Sequence, residues 1–403
     1  MKTVIFVSDL TLWSMGHGNG GPAFTKTINK YIDEGIEVYL ISDVEENREF
    51  EGIDSAHNII VRPSFAKSFV NIQKLGVVFR YIDHRIISKR FEKEIIKIIE
   101  NSEQSLLYAY EIYGVRACKR ISKRYNIPYV TRFQGTILSQ YKDNLVNRVK
   151  RYPHYQALSQ KSDLVIMTDD GTQGDRVLNE VKNSSERLFL RNGLDLISNS
   201  DIINCFSREE FRNSICKDIS QGECVFLTVS RLVSWKKIDR AIKGFYEYIK
   251  KGGSGRLVIV GDGNEKEKLY RLTQSLGVDK QVYFMGAVNH DEVYKYMLSS
   301  DVFLSLYDLS NVGNPLLEAM TLGCCIVTLD VGDTNQIITN GENGILLKRE
   351  EIDSLGDTLY ELSHNERKRI FLGRNARDYA QKHFYDWDKR MEIEYGKVMS
   401  LYH

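Results

Sequence analysis

The sequence predicts an α/β protein with two domains of similar size and architecture, and three observations support this. The chain has 403 residues, more than one hydrophobic core usually organises. Strand-like apolar runs alternate with helical stretches in both halves, as in βαβ units. Each half also has a glycine turn that leads into a proline, at Gly20-Gly21-Pro22 and at Gly313-Asn314-Pro315.

The first half begins with a predicted βαβ unit. It consists of a strand at 3–8, a helix at 23–33 closed by Gly35, and a strand at 36–42. Further strands are predicted at 106–110, 129–132 and 164–168, with helices at 115–125 and 146–159. The first half is therefore expected to form an open α/β sheet.

The second half repeats this pattern. Its strands are predicted at 224–229, 256–260, 282–284, 302–306 and 325–329, with helices between them. The stretch 191–201 has turn chemistry and little periodicity, which indicates a domain boundary. We expect domains at 1–195 and 196–380, and a C-terminal helix within 381–403 that packs back on the first domain.

Composition narrows the classes of protein. Hydrophobic residues make up 42% and charged residues 27%, and the formal net charge is +1. This balance predicts a folded chain without the strongly basic field of a nucleic-acid-binding protein. The six cysteines form no C-x-x-C pair, and no window is long and apolar enough to span a bilayer. We expect a cytoplasmic protein with reduced thiols.

Cationic and glycine-rich loops suggest an anion site. Arg231 and Lys236 follow a predicted strand directly, at the carboxyl end where open α/β sheets bind ligands. Both could clamp a diphosphate, although a solvated basic loop would look the same. The two glycine-proline turns would present backbone amides at helix N-termini, or they could simply connect strands to helices.

Glu318 falls in the expected first turn of the helix that starts near Pro315. A carboxylate there could accept hydrogen bonds from both hydroxyls of a ribose. It would also suit the positive end of a helix dipole without any ligand. Both interpretations stay open on this residue alone.

From about Asn192 to Leu347 the sequence resembles the retaining GT-B glycosyltransferases of family 4. The motifs that carry the resemblance are Asn192-Gly193-Leu194-Asp195, Ser230-Arg231-Leu232-Val233 with Lys236, Val260-Gly261-Asp262-Gly263, Phe284-Met285-Gly286, and Leu317-Glu318-Ala319-Met320 with Gly323. The first half is similar more loosely, through Gly20-Gly21 and 128–136.

The resemblance implies a GT-B fold, with two Rossmann-like domains facing each other across a nucleotide-sugar cleft. It implies that Arg231 and Lys236 bind the donor diphosphate and act in catalysis, and that Glu318 binds the ribose. The first domain would bind the acceptor, with His17 and Glu111 as candidates for the acceptor or a phosphate. The full donor-binding set is predicted to be Gly20, Gly21, Arg231, Lys236, Gly261, Asn311, Val312, Gly313, Asn314 and Glu318.

Two positions depart from the family pattern. Ser310 stands where the first glutamate of the E-x7-E motif is expected, and Asp308 is close but out of register. Ser310, Asn311 and Asn314 are instead expected to hold the sugar hydroxyls through neutral hydrogen bonds. Gln134 stands where many members have a histidine near the transferred sugar, and it is a predicted catalytic position.

No sequence motif calls for a metal ion or another cofactor. The chain has no H-E-x-x-H, no D-x-D with a ligand cluster and no serine nucleophile elbow. Departure of the diphosphate would then depend on Arg231, Lys236 and helix N-terminal amides. The resemblance implies transfer with retention on the front face of the sugar, and no carboxylate is obviously placed as a nucleophile.

The segment 61–97 interleaves aromatic and basic residues. It contains Phe65, Phe69, Phe79 and Tyr81 among nine lysines and arginines, which include Lys67, Lys74, Arg80, Arg85, Lys89, Arg90 and Lys97. Such a segment could lie peripherally on the inner face of a membrane, or it could be an ordinary amphipathic helix with a core face.

The leading hypothesis is a hexosyl- or N-acetylhexosaminyltransferase that uses a UDP-sugar in polysaccharide or glycoconjugate synthesis. Its acceptor would be a glycan, a lipid-linked acceptor or a protein. One alternative is a sugar-nucleotide isomerising or hydrolysing enzyme, which would need an acid/base pair that is not evident. Another is a catalytically silent subunit that binds nucleotide or activates a partner glycosyltransferase. A nicotinamide dehydrogenase ranks last, because a tight G-x-G-x-x-G is missing and Asp43 is poorly placed for a ribose.

Overall fold

The computed structural model describes residues 2–8, 22–43, 56–72, 75–195, 206–216, 219–220 and 222–402. The chain divides into two compact units. Unit 1 comprises Met1–Asp169, Gln173–Gly193 and Trp387–His403, and unit 2 comprises Asp170–Thr172 and Leu194–Asp386. The expected boundaries, after residues 195 and 380, lie close to the divisions at 193 and 386. No pattern in the sequence indicates that residues 170–172 belong with the second half.

Unit 1 is built on a parallel sheet. Within the described residues it has seven strands in the order β3-β2-β1-β4-β5-β6-β7. The strands are β1 (Lys2–Ser8), β2 (Glu37–Ser42), β3 (His57–Ile60), β4 (Gln104–Tyr110), β5 (Tyr129–Phe133), β6 (Leu164–Thr168) and β7 (Glu186–Leu190). The sequence did not predict β3 and β7, which form the two edges of the sheet and have short or weakly buried runs.

Helices connect these strands. They are α1 (Pro22–Asp33), α2 (Gly76–Ile99), α3 (Gly114–Tyr125), α4 (Leu145–Lys150), α5 (Tyr152–Leu158) and α6 (Gly174–Glu180). The prediction of one helix over 146–159 was wrong, because α4 and α5 are separate helices that meet at Arg151. Pro153 lies at the start of α5, where its missing N–H is tolerated, whereas the interior of a longer helix would lose a hydrogen bond there.

Unit 2 repeats the architecture. Its described residues form a six-stranded parallel sheet in the order β10-β9-β8-β11-β12-β13. The strands are β8 (Cys224–Val229), β9 (Gly255–Val260), β10 (Val282–Gly286), β11 (Val302–Ser305), β12 (Cys325–Leu329) and β13 (Ile345–Leu347). The helices are α7 (Arg208–Ile215), α8 (Ile238–Lys250), α9 (Lys266–Leu276), α10 (His290–Ser299), α11 (Asn314–Thr321), α12 (Leu355–His364) and α13 (Glu366–His383). The three-residue edge strand β13 was not predicted.

The sheets are the centre of each hydrophobic core. Every residue of β5, β6, β8 and β12 is buried, as expected for parallel strands that helices cover on both faces. The strand order reverses between β1 and β4 in unit 1, and between β8 and β11 in unit 2. Open α/β sheets bind ligands beyond the carboxyl ends of the strands at such a reversal, so each unit has one position favoured for a site.

The last helix of the chain, α14 (Trp387–Met399), belongs to unit 1. It carries Arg390 and Glu394, both fully buried. Glu394 pairs with Arg390 on its own helix and with buried Arg132 of β5, 3.2 Å away, and it accepts a hydrogen bond of 2.6 Å from Tyr108. Burial opposes the charged carboxylate, but the two guanidiniums outweigh it and lower the pKa of Glu394. Among the described residues, no helix is both long and apolar enough to cross a membrane.

Candidate functional site

The candidate site of unit 2 lies where β8 and β11 end. β8 ends at Val229 and β11 at Ser305, on either side of the reversal in strand order. The loop after β8 carries the two predicted cations, and the loop after β11 leads into α11. The parallel sheet therefore brings these two loops to the same edge.

Lys236 is held between aromatic rings. Its Nζ lies 3.9 Å from the ring centroid of Tyr307 and 4.4 Å from that of Trp235. The Tyr307 hydroxyl donates a hydrogen bond of 2.8 Å to the Val229 carbonyl, which fixes its ring at the end of β8. Burial, together with the nearby Arg231 guanidinium, lowers the pKa of Lys236 to about 7, although the Asp170 carboxylate partly opposes the shift. A bound anion would favour the protonated form.

Arg231 shares the same loop. Its side chain is exposed, and its guanidinium carbon lies 5.9 Å from the ring centroid of Trp235. The loop thus presents two cations around one indole ring, with Lys236 partly buried and Arg231 open to solvent. This arrangement suits a ligand with two adjacent anionic groups, such as a diphosphate.

Glu318 is placed differently from the expectation. It is the fifth residue of α11, which starts at Asn314, so no acidic residue lies in the first turn. Its side chain is buried, and its Oε1 lies 2.9 Å from Nε2 of His290, the first residue of α10. A position beyond the first turn weakens the explanation by helix dipole, since that effect fades within one turn. His290 has no sequence motif that would have marked it.

The turn before α11 contains one residue with a strained backbone, Ser310, and two buried residues, Asn311 and Val312. Ser310 has a positive φ of 55°, which is unusual for a residue with a side chain. Asn311 is 1% exposed, and its amide accepts from Tyr307 N and donates to Leu329 O. Val312 is also buried, and its N–H donates to the Asp170 carbonyl at 3.1 Å. Asn311 is thus bonded to its own loop and to the end of β12, and Val312 to Asp170; the contact of Asn311 with a sugar hydroxyl stays a prediction.

The two glycines of the predicted donor set that the structure describes, Gly261 and Gly313, differ in their surroundings. Gly261 has a φ of +132°, and a Cβ there would lie 1.9 Å from the Ser230 carbonyl oxygen. The fold itself therefore requires this glycine, whatever binds nearby. At Gly313 a Cβ would meet nothing closer than 3.5 Å. The open space beside Gly313, the residue before Asn314, is what a ligand at this turn would need.

In unit 1, two predicted residues meet at the carboxyl ends of β4 and β5. Glu111 has a positive φ of 67° and its Oε1 accepts a hydrogen bond of 2.7 Å from the Gln134 backbone N–H. The Gln134 side-chain amide donates to the Tyr110 hydroxyl. Glu111 and Gln134 therefore form one local cluster, and the strain at Glu111 is the kind of backbone geometry found at functional sites.

The remaining predicted residues do not contribute to either cluster as the structure describes them. His17, Gly20 and Gly21 lie outside the described residues. Asp43 pairs with Lys67 at 2.8 Å, a contact that engages the carboxylate considered for a dehydrogenase. Within the part of the chain that the structure describes, no group of three or more His, Cys, Asp or Glu residues is arranged to hold a metal ion.

Residues 208–379 match the family model described as Glycosyl transferases group 1. Three curated relatives are similar over part of the chain. They are an uncharacterized glycosyltransferase of Methanocaldococcus jannaschii (28% identity, 47% of this chain and 46% of the relative), the N-acetyl-alpha-D-glucosaminyl L-malate synthase of Bacillus anthracis (26%, 41% and 43%) and the alpha-monoglucosyldiacylglycerol synthase of Acholeplasma laidlawii (29%, 33% and 33%). These matches span less than half the length of each relative.

Solved structures match the whole chain. The sucrose-phosphate synthase of Thermosynechococcus elongatus has a TM-score of 0.75 at 14% identity, with 99% of this chain and 98% of that chain covered. Anabaena HepE in complex with UDP-glucose has a TM-score of 0.71 at 16% identity, with 99% of each chain covered. At this identity the likeness shows the fold, so the prediction of two Rossmann-like, parallel-sheet units of the GT-B class is confirmed.

Proposed function

We propose that this chain is a glycosyltransferase that binds a nucleotide diphosphate sugar at the β8–β11 edge of unit 2. The match of 208–379 to the group 1 glycosyltransferases covers the strands and loops that build this edge. The observation that carries the proposal is the pair of cations in the loop after β8. A departing nucleoside diphosphate gains negative charge, and fixed cations stabilise that charge in the transition state.

The geometry within unit 2 supports the following proposed roles for its residues. Lys236 and Arg231 hold the diphosphate, and the open turn at Gly313 leaves room for it at the start of α11. Glu318, oriented by His290, accepts hydrogen bonds from the ribose hydroxyls. We favour UDP as the nucleotide, because the matching HepE structure is described as a complex with UDP-glucose.

The reaction we propose retains the configuration at the anomeric carbon. The bond from that carbon to the diphosphate oxygen breaks, and the acceptor hydroxyl attacks from the same face. The hydroxyl proton passes to the departing phosphate oxygen. The transferred group is a hexose or N-acetylhexosamine, and the acceptor is a glycan, glycoconjugate or lipid-linked molecule. Gln134 and Glu111 are the candidate residues of unit 1 for this chemistry.

Thermal stabilisation by UDP, GDP, ADP, dTDP and their sugars tests the proposal. A ligand that binds the native state raises the melting temperature, by an amount set by its concentration relative to Kd. We expect one nucleotide family to stabilise the protein.

Lys236→Ala and Glu318→Ala should each weaken the binding of that nucleotide about tenfold or more, since each removes a contact to a charged group or to hydroxyls. Lys243→Ala is the control, because Lys243 is exposed on α8 and pairs only with Asp239 among its described contacts. Unchanged affinity in both site variants would contradict the assignment.

The second candidate function is a catalytically silent subunit that binds nucleotide or activates a partner glycosyltransferase. Ser310 in place of the expected glutamate favours it. This alternative predicts nucleotide binding, or binding to a partner, without release of UDP from any UDP-sugar. Measuring UDP release in the presence of candidate acceptors separates the two functions.

We also propose peripheral membrane contact, now confined to the first part of 61–97. Phe65, Leu75 and Val78 are exposed by more than half, at 64%, 55% and 53%, whereas Phe91 and Ile95 near the end of α2 are fully buried in the core. Phe65, Phe69, Ile72, Leu75 and Val78 thus remain exposed in the same part of the chain as the exposed Lys67 and Arg85, a combination that suits an anionic bilayer. Sedimentation with phosphatidylglycerol vesicles should capture the protein, and Phe65→Ser with Val78→Ser should release it. Equal sedimentation of both proteins would contradict this contact.

A further inference from the structure

Asp170 is a buried carboxylate that no motif marked, and it belongs to unit 2 although it follows β6 of unit 1. The segment Asp170–Thr172 lies against the turn before α11. Val312 N–H donates to the Asp170 carbonyl at 3.1 Å, and a Cβ on Gly171 would lie 3.1 Å from Val312. On the other side, a Cβ on Gly332 would lie 1.9 Å from the Gly171 carbonyl oxygen. Close packing therefore fixes the position of Asp170 beside Ser310.

The described contacts of the Asp170 carboxylate are with neutral donors. Its Oδ1 accepts from the backbone N–H and the hydroxyl of Thr172, at 3.1 and 2.6 Å. Its Oδ2 accepts from the Ser310 hydroxyl at 2.7 Å. Burial raises the pKa of Asp170 to about 6, and the hydroxyls and the charge of Lys236 limit the rise. The carboxylate therefore ionises near neutral pH and retains capacity to accept further hydrogen bonds.

The other carboxylate near Ser310 is already neutralised. Asp308 lies 2.8 Å from Arg240, 3.3 Å from Arg349 and 3.7 Å from Lys237. Three cations thus compensate its charge, and the ion pairs tie it to α8 and to the segment after β13. Of the two aspartates, Asp170 is the one whose negative charge is available to a ligand at this turn.

We propose that Asp170, together with Ser310, binds hydroxyls of the donor sugar and helps to select that sugar. This inference rests on the proposed function, in which Lys236 and Arg231 hold the diphosphate. A carboxylate beside the phosphate-binding lysine repels phosphate itself, so the groups that it can bind are hydrogen-bond donors. In a nucleotide diphosphate sugar, the hydroxyls beside the diphosphate belong to the ribose, which Glu318 is proposed to bind, and to the transferred sugar, which is left for Asp170. A site that accepts from such a hydroxyl discriminates strongly against a sugar in which it is absent or points elsewhere.

The test compares the affinities for UDP, UDP-glucose and UDP-N-acetylglucosamine by calorimetry. Asp170→Asn keeps the shape of the side chain but replaces one accepting oxygen by a donor. We expect its affinity for the preferred sugar nucleotide to fall at least tenfold relative to its affinity for UDP. Asp308→Asn is the matched control, since it removes the same charge two residues from Ser310. It should lower the melting temperature through its lost ion pairs and leave the ratio of affinities unchanged.

Two further variants guard against a folding defect. Ser310→Ala removes the hydroxyl that holds Oδ2 and should shift the ratio in the same direction by a smaller factor. Asp170→Glu keeps the charge and should recover part of the sugar affinity. A parallel loss of UDP and sugar-nucleotide affinity in Asp170→Asn, or no change in either, would overturn this inference alone. Failure of the unmodified protein to bind any nucleotide would overturn the proposed function and this inference with it.

Discussion

At the scale of single residues, the surroundings of Lys236 have the largest effect on how the site would bind an anion. Its ammonium lies over two aromatic rings, near the Arg231 guanidinium and the Asp170 carboxylate. The pKa of about 7 means that the free site holds a partly deprotonated lysine at neutral pH. A diphosphate favours the protonated lysine, so binding takes up a proton.

We therefore predict that the affinity for UDP-glucose falls as pH rises from 7 to 9. Below pH 7 the lysine becomes fully protonated and the affinity should level off, until Asp170, whose pKa is about 6, begins to gain a proton. Above pH 7, each pH unit should cost up to about tenfold until the pKa of the bound state is reached. The diphosphate of UDP-glucose does not titrate in this range, so the slope reports the protein. Calorimetry at several pH values measures the dependence of this affinity on pH. Lys236→Arg should abolish the slope, because a guanidinium stays protonated; an equal slope in that variant would refute the prediction.

Two glycines give a second prediction at this scale. Gly261→Ala should destabilise the protein by about 1–3 kcal/mol or prevent folding, since its Cβ would meet the Ser230 carbonyl oxygen and its φ is positive. Gly313→Ala should fold with nearly the original melting temperature, because the space beside it is open. It should nevertheless weaken nucleotide binding if the ligand occupies that space. Melting curves with and without nucleotide check both variants, and a normal melting temperature for Gly261→Ala would contradict the steric argument.

At the scale of elements, the last helix is joined to the first unit by buried charge. Glu394 of α14 forms ion pairs with Arg132 of β5 and with Arg390 of its own helix, and the side chains of all three are fully buried. Val398 adds apolar contacts to the same core, which also contains Phe6 and Tyr31. The helix is thus a structural part of the unit 1 core.

Glu394→Gln should destabilise the protein by about 3–5 kcal/mol, because it leaves two buried guanidiniums without a counter-charge. The matched control is Glu392→Gln on the same helix. Glu392 pairs with Lys389, but both side chains are 58% exposed, so this change should cost less than about 1 kcal/mol. Urea unfolding measures both variants. Similar midpoints for the two would show that the buried network contributes little.

At the scale of the whole molecule, the chain passes between the units more than once. Unit 1 takes its last helix from the far end of the chain, and unit 2 takes Asp170–Thr172 from the first half. The chain leaves unit 1 after Gly193 and re-enters it at Trp387. These two points are adjacent, since a Cβ on Gly193 would lie 2.6 Å from Trp387 Cα. Cutting the sequence at its midpoint therefore does not separate the units.

We predict that residues 1–193 alone do not fold cooperatively, because Arg132 loses Glu394 and the core loses α14. Joining Gly193 to Trp387 through a two-glycine linker, to give residues 1–193 and 387–403, should restore a cooperative melting curve by circular dichroism. Residues 194–386 should fold alone, since the two apolar clusters of unit 2 are made from this stretch. A cooperative transition of the 1–193 fragment would contradict the assignment of α14.

The fold class, the central strands of both sheets and the loop that carries Arg231 and Lys236 could be predicted from the sequence alone. These depend on local patterns: apolar runs, glycine turns and cations placed directly after a strand. The prediction failed at the edges of the sheets, where β3 and β13 have only four and three residues. The prediction also treated α4 and α5 as one helix, although Pro153 indicates a break between them.

The partners of the site residues, in contrast, depend on how the chain folds in three dimensions. Ser310 meets Asp170 across 140 residues of sequence, and His290 meets Glu318 across 28. Neither pair has a fixed spacing that a motif could record, because chain folding, not local periodicity, sets the distance. The same holds for Glu394 and Arg132, 262 residues apart. The buried charge of each such pair requires a partner, but its identity depends on which strands and helices the fold places side by side.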